Sequence, residues 1–164
     1  MLVLGIDPGT ATTGYGLVIE TDGQLQAIAY GVIATPPDWL MPQRLQKIYR
    51  DLTVLIREHH PTEGAVEQLF FSRNVKTALA VSQARGVALL ALADAGLPAA
   101  EYTPLEVKQS VVGYGRAEKR QVQELVKLLL GLEAVPQPDD AADALAIAIC
   151  HVHSTRMTAL MSQT

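Results

Sequence analysis

Four acidic residues sit where unpaired charge is hard to keep: Asp7, Glu67, Asp140 and Asp143. Asp7 ends a short apolar run, residues 2–6, and the Pro8-Gly9-Thr10 that follows is turn chemistry. Glu67 falls inside a second apolar run, residues 64–69. Asp140 and Asp143 open an alanine-rich segment, and their spacing of three puts both side chains on one helical face. Carboxylates buried on a central strand or an apolar helix cost free energy unless something neutralises them. A pair of hard divalent cations is the economical partner. Magnesium and manganese prefer oxygen ligands, and two ions roughly 3.5–4 Å apart clamp both ends of a phosphoryl displacement. In that chemistry one ion activates the attacking water and the other stabilises the leaving 3′ oxygen. Each acid alone has a plainer use. Asp7 could serve only its turn and Glu67 could end a strand at the surface. Asp139, Asp140 and Asp143 could favour a helix N-terminus, with Asp139, after Pro138, as the expected N-cap. Their convergence is what points to metal-assisted phosphodiester chemistry.

Positioning these groups requires strands first and helices later. Residues 2–6, 15–20 and 25–35 read as strands, with Asp22-Gly23 as a hairpin turn between the second and third. Pro36-Pro37 ends this antiparallel meander. Leu45, Ile48, Leu52, Leu55 and Ile56 then form a helical stripe. Residues 64–69 are a fourth strand, 77–95 a helix stopped by Gly96 and Pro98, and 99–103 a fifth strand. The remainder is helical, broken near Gly113-Tyr114-Gly115 and at residues 135–138. The expected fold is α/β: a mixed five-stranded sheet, three antiparallel strands then β-α-β units, flanked by helices. Residues 1–156 are expected to form one nuclease domain and residues 157–164 a short tail.

Composition agrees with one folded domain. The 164 residues are 49% hydrophobic and 18% charged, which argues against disorder. No uninterrupted apolar stretch approaches the roughly 18 residues of a membrane helix, no leader is visible, and Cys150 is alone. A reducing cytoplasm fits. The net charge of −4 argues by itself against nucleic acid. Yet Arg73, Lys76, Arg85, Lys108, Arg116, Lys119, Arg120 and Lys127 outnumber the acids among them, so a basic face beside an acidic site is possible. His151 and His153, alternating with apolar residues at a helix end, read as structural or exposed rather than as ligands. Trp39, after two prolines, reads as a packing anchor for its loop.

Six blocks carry a family resemblance. Gly5-Ile-Asp-Pro-Gly-Thr10 with Thr13-Gly-Tyr-Gly-Leu17 resembles the opening of RuvC-family Holliday junction resolvases. So do Val66-Glu-Gln-Leu-Phe70, Gln83-Ala-Arg-Gly-Val87, Val107-Lys-Gln-Ser-Val-Val-Gly113, Ala117-Glu-Lys119 and residues 140–148, in the family's order and spacing. The resemblance implies an RNase H-like fold in which Asp7, Glu67, Asp140 and Asp143 are the catalytic, metal-binding carboxylates. It implies two Mg2+ per active site, with Mn2+ able to substitute. Phe70 matches an aromatic that meets junction bases, although Phe71 directly follows and either ring could serve. Lys108 and Lys119 match phosphate contacts, and Arg73 and Lys76 are further candidates for DNA. The implied partners are four-way junction DNA, a second copy in a homodimer, and the RuvA–RuvB branch-migration complex, with no membrane. The helix at 77–95, apolar on more than one side, is the candidate dimer surface.

Other classes compete on parts of this pattern. An actin-like ATPase shares the Gly5–Gly16 style of loop, but that architecture needs two lobes. An RNase H-fold nuclease acting on RNA or single strands would show similar carboxylates. A DNA-binding module without catalysis would not need all four.

Overall fold

The computed structural model describes residues 1–68 and 75–162. Phe70, Phe71 and Arg73, three candidates for DNA contact, lie outside the described residues. Three strands come first: β1 (Leu2–Asp7), β2 (Thr12–Thr21) and β3 (Gln24–Ala34). Then follow α1 (Met41–His59), β4 (Glu63–Glu67), α2 (Val75–Asp94), β5 (Ala99–Tyr102), α3 (Pro104–Val112), α4 (Lys119–Leu129) and α5 (Asp139–Met161). The sheet order is β3-β2-β1-β4-β5. β2 is antiparallel to β1 and to β3, while β4 is parallel to β1 and to β5. This is the expected RNase H-like α/β architecture.

Local chemistry explains the joints. Asp22 and Gly23 both take positive φ in the β2–β3 turn, as the hairpin twist requires. Thr103 caps α3: its hydroxyl accepts from the Glu106 N–H at 3.2 Å while the Glu106 carboxylate accepts from the Thr103 N–H at 2.7 Å. Strand alternation divides the core in two. Val3, Val18 and Ala65 face α3, α4 and α5. Leu4, Ile6, Leu17, Ile33 and Val66 face α1 and α2. The central strand β1 is thus covered on both sides, which is why its sequence reads as one apolar run.

α5 lies close on the first of these faces. A Cβ at Gly5 would collide with the Ala144 carbonyl, and one at Gly14 with the Asp140 carbonyl. The glycines of β1 and β2 therefore set how near the helix can come.

Three expectations change. The tail at 157–164 is, through Met161, the end of α5, because Met157, Ala159, Leu160 and Met161 are helix formers with no breaker before them. Pro138, not Asp139, is the N-cap of α5, and Asp139 is its first helical residue. Trp39 is 38% exposed rather than a buried anchor. By length and composition alone, α2 is apolar enough to cross a membrane, with a mean hydropathy of 1.3 over its best window. Lys76, Arg85 and Asp94 interrupt it, and Ala84, Ala88, Ala91 and Leu92 bury its inner side on the sheet.

Candidate active site

Asp7 and Glu67 are the last residues of two neighbouring parallel strands, β1 and β4. Strand alternation turns both toward α5: Asp7 shares a side with Val3 and Gly5, and Glu67 shares one with Ala65. Asp140 enters from the first turn of α5 and Asp143 from the residues just after it, brought in by the close approach over Gly14. All four sequence-predicted carboxylates reach one end of one sheet face.

Their electrostatics show the cost of this meeting. Burial, then the charges of Glu67, Asp143 and Asp140, push Asp7 up to about 8. Burial, then Asp143, pushes Glu67 to about 7. Burial also raises Asp143, although Lys119 pulls against it. The Lys119 Nζ donates to Asp143 Oδ2 at 2.8 Å and lies 3.4 Å from Asp139 Oδ2. Burial works against the Lys119 ammonium, but its two aspartate partners prevail and raise its pKa. Lys119 is the first residue of α4, where the helix dipole disfavours a cation. The aspartates compensate that position.

The donor set is all oxygen and carries more negative charge than one lysine offsets, which suits hard divalent cations. Among the described residues, no three acidic or histidine side chains are drawn together tightly enough to close around an ion as they stand. The site fits such ions by charge and donor type, with side chains that must turn inward to ligate. Beside it lies a cavity of about 190 Å³ walled by Glu67, Asp143, Lys108 and Lys119, over a floor of Pro104, Val107, Val122 and Ala146. Both lysines singled out from the sequence therefore stand at the acids. Lys76, on the first turn of α2, belongs to another element and does not line this cavity.

Two features escaped sequence reasoning. Asp139 faces α4 rather than capping its own helix, and it accepts from Gln123 Nε2 at 3.0 Å. His151 is 6% exposed, held between Glu63 Oε2 at 2.7 Å and the Tyr102 hydroxyl at 2.8 Å. The signal for the latter was a histidine inside an unbroken apolar helix, which needs polar partners.

An RNase H-like sheet with acids at the ends of β1 and β4 and at the start of the covering helix defines a nuclease-type α/β domain. Residues 3–151 match the family described as crossover junction endodeoxyribonuclease RuvC. The chain belongs to the RuvC family. The protein of that description from Syntrophomonas wolfei is 58% identical over 161 residues, covering 98% of this chain and 94% of the relative. The structure of Thermus thermophilus RuvC is 37% identical with a TM-score of 0.89, covering 96% of this chain and 97% of that one. Thermus thermophilus RuvC in complex with a Holliday junction substrate superimposes with a TM-score of 0.91 at 36% identity, covering 96% of each chain.

Proposed function

We propose that this protein is a metal-dependent endonuclease that resolves four-way DNA junctions by paired symmetric nicks, serving recombination and repair in the cytoplasm. One observation carries the reading: Asp7, Glu67 and Asp143, all raised by burial and mutual repulsion, cluster beside a cavity that Glu67 and Asp143 share with the positive charges of Lys108 and Lys119. Asp7, Glu67, Asp140 and Asp143 would hold two Mg2+, or Mn2+ in their place, and the ions when bound would supply an activated water and charge stabilisation at the leaving oxygen. The protein's own part is positioning. The strand ends fix Asp7 and Glu67, α5 presents Asp140 and Asp143, and Lys108 and Lys119 orient a backbone phosphate over them. Phe70, Phe71, Arg73 and Lys76 would extend the DNA contact beyond the acids.

One such site cuts one strand, so two nicks call for a two-fold dimer. The outward side of α2 is the proposed interface: Leu79 is 61% exposed and Leu90 52%. Between them, a Cβ on Gly86 would meet nothing within the monomer, so the glycine leaves room for a second copy's close approach. RuvA–RuvB is the proposed further partner.

Incubating the protein with a labelled immobile four-way junction, with Mg2+, Mn2+ or neither, tests the reading. Each of Asp7→Asn, Glu67→Gln, Asp140→Asn and Asp143→Asn is expected to abolish cleavage and spare junction binding. An amide variant that cuts at the wild-type rate with Mg2+ removes that residue from the site. Lys108→Ala is expected to weaken binding and lower the salt dependence by about one unit of slope.

A further inference from the structure

His151 is the one buried histidine among the described residues, and the proposed cleavage chemistry makes no use of it. Its ring joins three elements. On α5 itself, it meets the Glu63 carboxylate at the start of β4 through Nε2 and the Tyr102 hydroxyl at the end of β5 through Nδ1. The Tyr102 ring also stands edge-on to the imidazole, with centroids 5.8 Å apart. Tyr102 is in turn the register partner of Glu67, and its carbonyl accepts from the Gln68 N–H at 2.7 Å. The hydrogen-bonded chain thus ends on the peptide beside a catalytic carboxylate.

The spacings on the two elements match. From Glu63 to Glu67 is four strand residues, about 13 Å at a strand's rise. From Asp143 to His151 is eight helical residues, about 12 Å at a helix's rise. β4 and α5 run in opposite directions, so the contact that joins Glu63 to His151 and the proximity of Glu67 to Asp143 are two ends of one alignment. α5 meets β1 closely where Gly5 faces Ala144 and Ala148, and apolar contact is less directional than hydrogen bonding in specifying an axial position. A buried, doubly hydrogen-bonded imidazole specifies it well, because a slip of one helical residue, about 1.5 Å, would break both of its hydrogen bonds.

We propose that Glu63, His151 and Tyr102 are positioning residues: a register lock that sets Glu67 on β4 against Asp143 on α5 and so fixes the spacing of the metal-binding carboxylates. The lock rests on the metal-nuclease reading above. It works by length and hydrogen bonding, so Glu63→Gln, which keeps both, leaves the site intact. Glu63→Asp shortens the connection by one methylene and displaces it, and His151→Phe removes it.

The test measures Mn2+ binding by electron paramagnetic resonance, junction binding, and kcat and KM for junction cleavage. All are taken at a temperature where circular dichroism shows each variant fully folded. Glu63→Gln is expected to stay within about twofold of wild type. Glu63→Asp and His151→Phe are expected to lose at least tenfold in Mn2+ affinity and in kcat, with KM and junction affinity unchanged. Tyr102→Phe is expected to lose about threefold. Should His151→Phe not fold, Glu63→Asp alone decides the matter. Wild-type Mn2+ affinity and kcat in folded Glu63→Asp overturn the lock, as does a Glu63→Gln loss equal to that of Glu63→Asp. A wild-type protein that binds no Mn2+ defeats the metal-nuclease reading itself and the lock with it.

Discussion

Helices α2 and α5 are close to interchangeable as sequences, yet the fold uses them in opposite ways. Both are long and alanine-rich, and both carry apolar residues around most of the circumference. α5 buries an unbroken run from Ala144 to Val152. α2 buries only Ala84, Ala88, Ala91 and Leu92, leaving Val75, Leu79 and Leu90 exposed. A helix apolar on every side needs cover on every side. α5 finds it within the chain, between the sheet and helices α3 and α4. α2 has the sheet and α1 beneath it and, among the described residues, nothing that covers Leu79 and Leu90 above. The difference teaches that apolarity read along a helix states a requirement for burial, while the topology decides whether the chain itself or a partner meets it.

The contrast is tested most severely by cavities. Leu145→Ala in α5 is expected to cost about 2–5 kcal/mol, whereas Leu79→Ala in α2 is expected to cost the monomer under about 1 kcal/mol. Chemical denaturation at dilutions that separate subunits measures both, and equal losses would erase the distinction. Next is pH. Asp7 and Glu67 titrate near 8 and 7 in the folded chain, far above the ordinary carboxylate range near 4. The folded state therefore holds protons that the unfolded state has released. The contribution of these two groups to stability after chelation with EDTA is then fully present below about pH 4 and is lost as pH rises toward 8. Asp7→Asn is expected to flatten this slope and Leu79→Glu to leave it unchanged, as thermal melts across that range would show. A smaller effect on the monomer, with a large one on assembly, is expected from the pair Leu79→Glu and Leu90→Glu. Sedimentation at micromolar protein should turn from dimer to monomer while the fold survives. A wild-type protein that is monomeric with and without junction would instead leave the outer face of α2 uncovered. The smallest change is Gly86→Ala, expected to add roughly 0.5–1 kcal/mol to monomer stability through helix propensity and to weaken self-association.

Much of this was legible in the residues. An apolar run and two strand-like segments, punctuated by Asp22-Gly23 and Pro36-Pro37, marked the meander, and the stripe from Leu45 to Ile56 marked α1, of which Ile48, Leu52 and Ile56 are buried. The four acids could be named because charge in apolar surroundings is rare. What stayed hidden depends on contacts between distant segments. The pairing of Lys119 with Asp139 and Asp143 spans elements whose angle no local pattern encodes. His151 read as structural, which it is, but its partners Glu63 and Tyr102 come from two other strands. Asp139 was misplaced by one position because an extended proline can occupy the N-cap while contributing no side-chain hydrogen bond.

The contact of α5 with the glycines of β1 and β2 also bears on how this protein can vary. A scan that truncates side chains would find the acids, since it removes what they supply. It would pass over Gly5 and Gly14, which have nothing to remove. Every amino acid reachable from a glycine codon by one base change carries a Cβ, and at these positions a Cβ would strike the backbone of α5. Those two codons offer no conservative neighbour, so the shape of the carboxylate cluster is guarded at sites that bear no functional group.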